Sequence, residues 1–234
     1  MNVMILAAGR GTRLGQLGLS RPKILLEIGN EPLLMRHLRY LERERVSRVV
    51  INAHHRANDI KHFVAAYAGE LELVVVEEPE LLGTAGGVRN ALEYLGSEPF
   101  AVLYGDVIIR EPLDQLADVH RNTGAIATLT VYEAESTIGK GVVEVDEQGR
   151  ILRFAEKQSE RSGPGCVNAG LYLLDPDLVA ALPHGEPLDF GHDVLPAAVD
   201  RGEPVFAYRL GAPVLDVGTR EDLELARRLA RTAA

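Results

Sequence analysis

The sequence predicts a protein of the α/β class with a central, mostly parallel sheet, and three observations support this. Short apolar runs alternate with segments in which apolar residues recur at helical spacing through the first hundred residues. Alternation of this kind is typical of a parallel sheet with helices on both faces. At 234 residues the chain is long enough to bury a large core. Its 46% hydrophobic and 25% charged residues are those of a globular protein.

The strands and helices of the first half follow from this pattern. Leu34, Leu38 and Leu41, for example, share one face of a helix. We predict buried parallel strands over residues 3–7, 48–52, 71–76 and 100–104. We predict helices over residues 32–44, 57–67 and 84–95.

The second half contains more strands and fewer helices. We predict strands over residues 125–132, 141–145, 151–154, 167–173 and 205–208. Residues 146–149 (Asp-Glu-Gln-Gly) indicate a hairpin turn, and residues 221–231 a closing helix with a basic end. We therefore expect one domain over residues 1–234, a Rossmann-like three-layer α/β/α fold whose sheet becomes mixed.

Composition excludes several classes of function. A net charge of −9 and a pI near 5.3 argue against nucleic acid or an anionic membrane as a partner. Apolar runs stay well below the roughly 18 residues that span a membrane. The first apolar run leads directly into a loop, unlike a signal peptide. Because Cys166 is the single cysteine, no intrachain disulfide can form. We expect a cytoplasmic protein.

A glycine-rich turn follows the first predicted strand, and we call residues 7–15 the glycine loop. Glycine loops after strands present backbone N–H groups to phosphates. Arg10, Arg13 and the later Lys23 concentrate positive charge here on an acidic chain. The spacing differs from G-x-x-x-x-G-K-[ST], and the full G-x-G-x-x-G is absent. The loop indicates a site for a triphosphate.

Two further segments carry polar groups at positions where ligands bind. Asp106 and Asp216 each follow an apolar run, and the carboxyl ends of parallel strands bind ligands in α/β proteins. Residues 77–87, which we call the small-residue segment, would let a flat ring approach the backbone. Taken alone, each is more typical of a turn or a capped helix.

The order of these motifs resembles a known family. Residues 6–14 (LAAGRGTRL) with Pro22 and Lys23 resemble the signature of sugar-phosphate nucleotidyltransferases. Similar motifs of that family are matched by the small-residue segment, Gly105-Asp106, Glu156-Lys157, Asn168-Ala169-Gly170 and residues 216–219. The resemblance thus covers nearly the whole chain. One departure is Gln158, which stands where the family usually has proline.

The resemblance implies a role for each motif, with residues 1–110 mainly binding nucleotide and 111–234 mainly sugar phosphate. It implies nucleotide contacts from Leu6, Ala8, Gly9, Gly11, Thr12, Glu78, Gly83, Thr84, Ala85 and Gly105. It implies sugar-phosphate contacts from Gly141, Glu156, Lys157, Asn168 and Gly170. It implies catalysis by Arg13, Lys23 and Asp106, and Mg²⁺ held by Asp106 and Asp216.

The implied reaction joins a sugar 1-phosphate to an NTP and releases pyrophosphate. Glu78 stands where pyrimidine-using relatives carry glutamine. A carboxylate only accepts hydrogen bonds, so it suits the two adjacent donors of guanine and repels the oxygens of uracil. GTP is therefore the favoured nucleotide. Within the family, the sequence most resembles guanylyltransferases that act on heptose or mannose 1-phosphate. We expect no C-terminal β-helix of the kind several relatives carry, because the sequence ends one helix after Asp216.

Alternatives remain open at this stage. They are a uridylyltransferase acting on N-acetylmuramate 1-phosphate, a guanylyltransferase acting on a cyclitol phosphate, and a non-catalytic nucleotide-sugar sensor. A dinucleotide-binding oxidoreductase is supported only by the early glycines. Homo-oligomer formation also stays open. We interpret His54 and His55 as structural, and Asp189 and Asp193 as helix caps.

Overall fold

The computed structural model describes residues 1–155, 163–211 and 214–232, and in them the α/β class is confirmed, with a nine-stranded mixed sheet between two layers of helices. The strands are β1 Asn2–Leu6, β2 Glu27–Ile28, β3 Glu31–Pro32, β4 Arg48–Ala53, β5 Glu72–Glu77, β6 Phe100–Tyr104, β7 Val107–Ile108, β8 Ala127–Ala134, β9 Val142–Val145, β10 Ile151–Ala155, β11 Gly165–Leu174, β12 Val205–Arg209 and β13 Leu215–Asp216.

The helices cover both faces of this sheet. They are α1 Gln16–Ser20, α2 Leu33–Arg43, α3 Ala57–Ala65, α4 Gly83–Asn90, α5 Leu92–Leu95, α6 Leu113–Thr123, α7 Pro176–Ala180, α8 Leu195–Asp200 and α9 Arg220–Thr232. Short 3-10 turns span Thr12–Leu14 and Lys23–Leu25, and a π-helix spans Phe190–Val194. In the described part of the chain, helices that combine the length and apolar character needed to cross a membrane are absent.

The sheet has a parallel half and a mixed half, as predicted. Strands β5, β4, β1 and β6 lie side by side and parallel. The next strand, β11, is antiparallel to both β6 and β8, which makes β8 and β12 parallel to β6 again. Strands β9 and β10 form the predicted hairpin, whose turn is closed by the N–H of Gly149 donating to the carbonyl of Asp146 at 3.2 Å.

Alternating side chains of each strand fill two separate cores. In β1, Val3 and Ile5 pack on the side of α2, α3 and α6, whereas Met4 packs on the side of α4, α5, α7 and α8. A sheet covered on both faces needs apolar residues at successive positions, which explains the continuous apolar runs. A third cluster packs α9 against Leu14 and Ile28. The glycine loop is thereby tied to the end of the chain.

The helix prediction was incomplete in the second half. Helix α6 was not predicted, because its buried face consists of only Leu113, Leu116 and the polar His120 among charged neighbours. Helices α7 and α8 span only Pro176–Ala180 and Leu195–Asp200, too short for a clear helical period. The predicted helix over residues 84–95 is two helices, α4 and α5, separated by Ala91.

Candidate active site

A cavity of about 340 Å³ opens at the carboxyl ends of β1, β4 and β6. One wall is the start of the glycine loop, and the facing wall is the small-residue segment. Its lining residues are Leu6, Ala7, Ala8, Gly9, Lys23, Ile24, Asn52, Leu81, Gly83, Thr84, Tyr104, Gly105, Asp106, Asn168 and Asp189. Nine of these are residues that the sequence motifs implicate, so the fold brings the separate motifs to one place.

At one end of the cavity Lys23 and Asp106 form an ion pair. The Lys23 Nζ donates to Asp106 Oδ2 at 2.6 Å, and the two side chains are only 15% and 25% exposed. Asp106 follows Gly105, whose N–H donates to the carbonyl of Leu6 at 3.0 Å. A Cβ at Gly105 would lie 2.5 Å from that carbonyl oxygen. Glycine is therefore required where the chain leaves β6 and packs against the end of β1, and Asp106 follows it at the cavity.

Asp216 is brought beside Asp106 by a two-residue ladder. Strand β13 pairs antiparallel with β7, which sets Asp216 opposite Val107, and the N–H of Val217 donates to the Asp106 carbonyl at 2.8 Å. Desolvation raises the pKa of the Asp216 carboxyl, and the nearby Asp106 carboxylate raises it further. The two acids thus lie close enough to feel each other's charge.

Arg13 reaches the same place from the glycine loop. A Cβ at Gly218 would lie 2.8 Å from Asp216 Oδ1 and 3.3 Å from an Arg13 guanidinium nitrogen. Gly218 thus leaves room for the arginine and the aspartate to pack together. We call Arg13, Lys23, Asp106 and Asp216 the charged cluster. It joins two cations and two carboxylates, of which Lys23 and Asp106 line the cavity and Arg13 and Asp216 lie beside them.

The donor set of the charged cluster fits Mg²⁺. Hard cations bind oxygen ligands, and Mg²⁺ typically takes one or two carboxylates and completes its shell with phosphate oxygens and water. Asp106 and Asp216 are the two carboxylates available here. Among the described residues, groups of three or more His, Cys, Asp or Glu arranged to hold a metal are absent. A cation here would therefore need ligand phosphates as well as protein.

The glycine loop has the backbone conformation that its glycines predict. Gly11 has φ +61°, and its carbonyl accepts the N–H of Leu14 at 3.0 Å. Gly18 of α1 lies against it, since a Cβ there would be 2.1 Å from the Gly11 carbonyl oxygen. Thr12 and Arg13 are exposed. The turn is folded tightly on α1, which leaves these side chains at the surface.

The small-residue segment is fixed by contacts from the second half. Gly83 has φ +71° and no room for a side chain, because a Cβ would lie 2.3 Å from the Leu188 carbonyl oxygen. That oxygen accepts the N–H groups of Ala85 and Gly86 at 2.9 and 3.1 Å. Thr84 Oγ1 donates to Asp189 Oδ2 at 2.9 Å. Two of the first amides of α4 are therefore engaged by protein, and Thr84 bonds across the cavity wall.

Hydrogen-bonding side chains line the opposite end of the cavity. The N–H of Asn168 donates to the Gly141 carbonyl at 2.9 Å, and its Oδ1 accepts the N–H of Gly170 at 3.1 Å. Its Nδ2 donates to the Tyr172 hydroxyl, which lies 3.3 Å from the Tyr104 hydroxyl. Gly170, at φ +82°, lies within an irregularity of the β11–β8 register. This bulge directs Asn168 to the cavity.

Asp189 is both a cap and a cavity residue. Its Oδ1 accepts the N–H of Gly191 at 2.9 Å, which confirms the predicted capping role. Its Oδ2 accepts the Thr84 hydroxyl, and the carboxylate lines the cavity with Asn168. Burial raises the pKa of Tyr104 well above its ordinary value, so this phenol stays neutral beside Asp189. We call Asn168, Tyr104, Tyr172 and Asp189 the hydrogen-bonding end.

Glu78 lies behind the cavity wall. It is 1% exposed, its Oε1 accepts from Asn52 Nδ2 at 2.6 Å, and its Oε2 accepts from the N–H of Leu82 at 3.2 Å. Burial raises the pKa of this carboxyl, and its two hydrogen bonds oppose the rise. Direct contact between Glu78 and a nucleobase therefore stays a prediction. His54, interpreted as structural, contacts the Glu78 carbonyl through Nδ1 at 2.9 Å.

Two predicted residues, Glu156 and Lys157, lie outside the described residues. Three polar cavity residues were missed from the sequence as ligand contacts: Asn52, Tyr104 and Asp189. Asn52 and Tyr104 each end a predicted strand, and that position was the signal available for them. Asp189 was recognised only as a cap.

Fold and site together define an α/β protein with a cavity at the carboxyl ends of its parallel strands, lined by the glycine loop and the small-residue segment. Residues 2–232 match the model of the nucleotidyl transferase family, and the chain belongs to that family.

Two relatives are informative for the comparison with known proteins. The chain is 35% identical to a mannose-1-phosphate guanylyltransferase catalytic subunit beta of Drosophila pseudoobscura pseudoobscura, over 94% of the chain and 59% of that protein. It is 31% identical to a UTP–glucose-1-phosphate uridylyltransferase of Synechocystis sp., over 95% of the chain and 61% of that protein. The chain thus spans about three fifths of these relatives.

A solved structure resembles the entire chain. HddC from Yersinia pseudotuberculosis, complexed with GMP-PN, superposes with a TM-score of 0.84 at 26% identity. The match covers 97% of this chain and 98% of HddC.

Proposed function

We propose that this protein is a sugar 1-phosphate guanylyltransferase. A phosphate oxygen of the sugar 1-phosphate attacks the α-phosphorus of GTP. The bond from that phosphorus to the bridging oxygen of the β-phosphate breaks, and pyrophosphate leaves. The observation that carries the proposal is the charged cluster, in which Lys23 and Asp106 line a cavity of nucleotide-binding size and Asp216 and Arg13 lie beside them. Catalysis by positioning and charge neutralisation suits a nucleophile that is already anionic.

Each cation has a phosphate to neutralise in this proposal. Arg13 is exposed on the glycine loop and would bind the β- and γ-phosphates together with loop amides. Lys23 points into the cavity, and its ammonium keeps donors beyond the one given to Asp106. It would hold the α-phosphate and the incoming phosphate together. When bound, Mg²⁺ on Asp106 and Asp216 would neutralise charge on the phosphate oxygens.

The hydrogen-bonding end suits the hydroxyls of a sugar. Asn168 offers an amide, and Asp189 keeps acceptor capacity beyond its two bonds. Gly141 and Gly170 set the backbone there. The motif resemblance further assigns Glu156 to a hydroxyl and Lys157 to the monoester phosphate. In this proposal residues 1–110 mainly bind nucleotide and the remainder mainly sugar phosphate.

The choice of GTP is supported by relatives. The fly relative is named as a guanylyltransferase, and the HddC structure holds GMP-PN. The second candidate is a uridylyltransferase, favoured by the Synechocystis relative at 31% identity. Both candidates use the same site and differ only in the base.

A matrix of four NTPs against sugar 1-phosphates, measured by pyrophosphate release with Mg²⁺, tests the proposal. The acceptors should include heptose, mannose, glucose and N-acetylmuramate 1-phosphates and a cyclitol phosphate. We expect GTP to give the largest kcat/KM. Equal or better turnover with UTP would select the second candidate. Nucleotide binding without pyrophosphate from any pair would indicate a sensor instead.

A further inference from the structure

Two buried polar side chains connect the facing walls of the cavity. Asn52 is the last residue but one of β4 and is 2% exposed, while Glu78 follows β5 and is 1% exposed. Buried polar groups of this kind persist only when their hydrogen bonds are satisfied. Asn52 lines the cavity between Ala7 and the small-residue segment.

Their hydrogen bonds form one continuous chain. The N–H of Ala7 donates to Asn52 Oδ1 at 2.7 Å, and Asn52 Nδ2 donates to Glu78 Oε1 at 2.6 Å. On the far side the N–H of Leu82 donates to Glu78 Oε2 at 3.2 Å. The glycine loop is thereby linked to the small-residue segment through two side chains.

The donor and the acceptor of each of these hydrogen bonds are fixed. The main-chain N–H of Ala7 can only donate, so the oxygen of the Asn52 amide must face it, and the amide nitrogen then faces Glu78. A carboxylate can only accept, so it suits both this nitrogen and the N–H of Leu82. An amide at position 52 therefore requires an acceptor at position 78.

Helix α4 packs so closely on the pair that a side chain has no space between them. A Cβ at Gly87 of α4 would lie 2.6 Å from Glu78 Oε1 and 2.8 Å from Asn52 Nδ2. The main-chain N–H of Glu78 is also held, donating to the Ala53 carbonyl at 2.8 Å. A nucleobase could reach the Glu78 carboxylate only if this arrangement opened.

We propose that Asn52 and Glu78 are a positioning relay that sets the separation between the glycine loop and the small-residue segment, the two walls between which the nucleobase would bind. Glu78 influences nucleotide choice only through its hydrogen bonds with Asn52 and with the N–H of Leu82, and does not contact the base. The inference rests on the proposed function for its kinetic consequence, whereas the relay itself is a property of the fold. It replaces direct recognition of guanine by Glu78 with indirect control by a buried hydrogen-bond chain.

An exchange of polarity tests the relay. Asn52→Asp alone places the new carboxylate against that of Glu78 and replaces a 2.6 Å hydrogen bond by charge repulsion. Glu78→Gln alone leaves two donors competing, since the new amide nitrogen faces either Asn52 Nδ2 or the N–H of Leu82. Combining both substitutions restores all three bonds, because the new carboxylate accepts from Ala7 and from the new amide, whose oxygen accepts from Leu82.

We expect each single variant to raise the KM for the nucleotide about tenfold or more, with a smaller change in kcat, as an unsatisfied buried polar group requires. The double variant should return the nucleotide KM to within about threefold of wild type. It should also keep the wild-type ratio of GTP to UTP turnover, although position 78 has lost its charge. Asn58→Asp, at an exposed position of α3, is the matched control and should change neither value.

The outcomes separate the relay from the proposed function. A double variant that is no better than the worse single, or that loses base preference, overturns the relay in favour of direct reading by Glu78. If wild type releases no pyrophosphate with any substrate pair, the proposed function fails. Thermal unfolding still tests the relay in that case. The relay requires a lower midpoint temperature of unfolding in each single variant and a recovered midpoint in the double variant. If Asn52→Asp fails to fold, folding of the double variant supports the relay and its failure contradicts it.

Discussion

The two ends of the cavity are built in different ways. In the charged cluster, Lys23, Asp106 and their partners neutralise one another at the mouth of the cavity, and substrate phosphates and a cation can take over these interactions. At the hydrogen-bonding end, Asn168, Tyr172 and Asp189 are held by neutral donors and backbone groups. From this difference we expect the charged cluster to act on the reacting phosphates and the hydrogen-bonding end to select the sugar 1-phosphate.

Removing a charge from the charged cluster should have the largest effect. We expect Asp106→Asn and Lys23→Ala each to lower kcat about 10²–10³-fold, because each removes a preorganised charge from the reacting phosphates. Pyrophosphate release under saturating substrates measures the loss, and thermal unfolding checks that the variants are folded. Near-normal turnover in either folded variant would contradict the assigned roles.

Lys61 provides the matched control for this prediction. It pairs with Glu77 on the exposed side of α3 and β5, away from the cavity. Because an exposed ion pair contributes little to stability, Lys61→Ala should leave both activity and unfolding nearly unchanged. A comparable loss of turnover there would show that the Lys23 effect is not local.

The next effect concerns the buried support beneath the charged cluster. His37 in α2 is 3% exposed, and its Nε2 lies 3.1 Å from the Gly105 carbonyl, to which it donates. Burial lowers its pKa from 6.5 to about 4. The unfolded chain therefore binds more protons than the folded one between these values, so unfolding free energy falls as pH drops from 6.5 toward 4. The loss is at most about 3 kcal/mol.

Urea unfolding at pH 7, 5.5 and 4.5 measures this slope. His37→Gln should flatten it, leaving a residual slope from other groups such as His120, whose pKa is also lowered by burial. The same pH profile in wild type and variant would show that His37 is not the group responsible.

The sequence predicted the charged cluster better than the hydrogen-bonding end, for a physical reason. Asp106 and Asp216 are charged residues that follow apolar runs, and Asp106 lies just after the carboxyl end of the parallel strand β6. Lys23 is a charged residue in the motif that contains the glycine loop. Asn52, which belongs to neither set, ends a predicted strand but carries no charge, and its partners Ala7 and Glu78 lie 45 and 26 residues away. Asp189 was explained by capping, and its second bond joins it to Thr84, 105 residues earlier. Local spacing cannot reveal a side chain that serves both a cap and a cavity.

Removing the acceptor at the hydrogen-bonding end should have a smaller, selective effect. Asp189→Asn keeps the shape but replaces one of two accepting oxygens by a donor, opposite Thr84 or the N–H of Gly191. We expect the KM for the sugar 1-phosphate to rise about tenfold and the KM for the nucleotide, which Asp189 affects only through Thr84, to rise less. Steady-state kinetics with each substrate varied in turn measures the split. An equal rise in both values would mean that the two ends are not separate.

The smallest predicted effect is that of a single hydroxyl. Tyr172→Phe keeps the ring contacts with Tyr104 and Phe190, at centroid distances of 5.5 and 5.7 Å, and removes only the oxygen that accepts from Asn168. We expect a stability loss of about 1 kcal/mol and a severalfold rise in the sugar 1-phosphate KM, because Asn168 loses a partner that fixes its amide. Tyr208→Phe is the matched control, since its hydroxyl donates to Gln115 at the surface at 2.7 Å. If the two variants behave alike in urea unfolding and kinetics, Tyr172 contributes packing alone, and the acceptor site is held by Asn168 and its backbone partners.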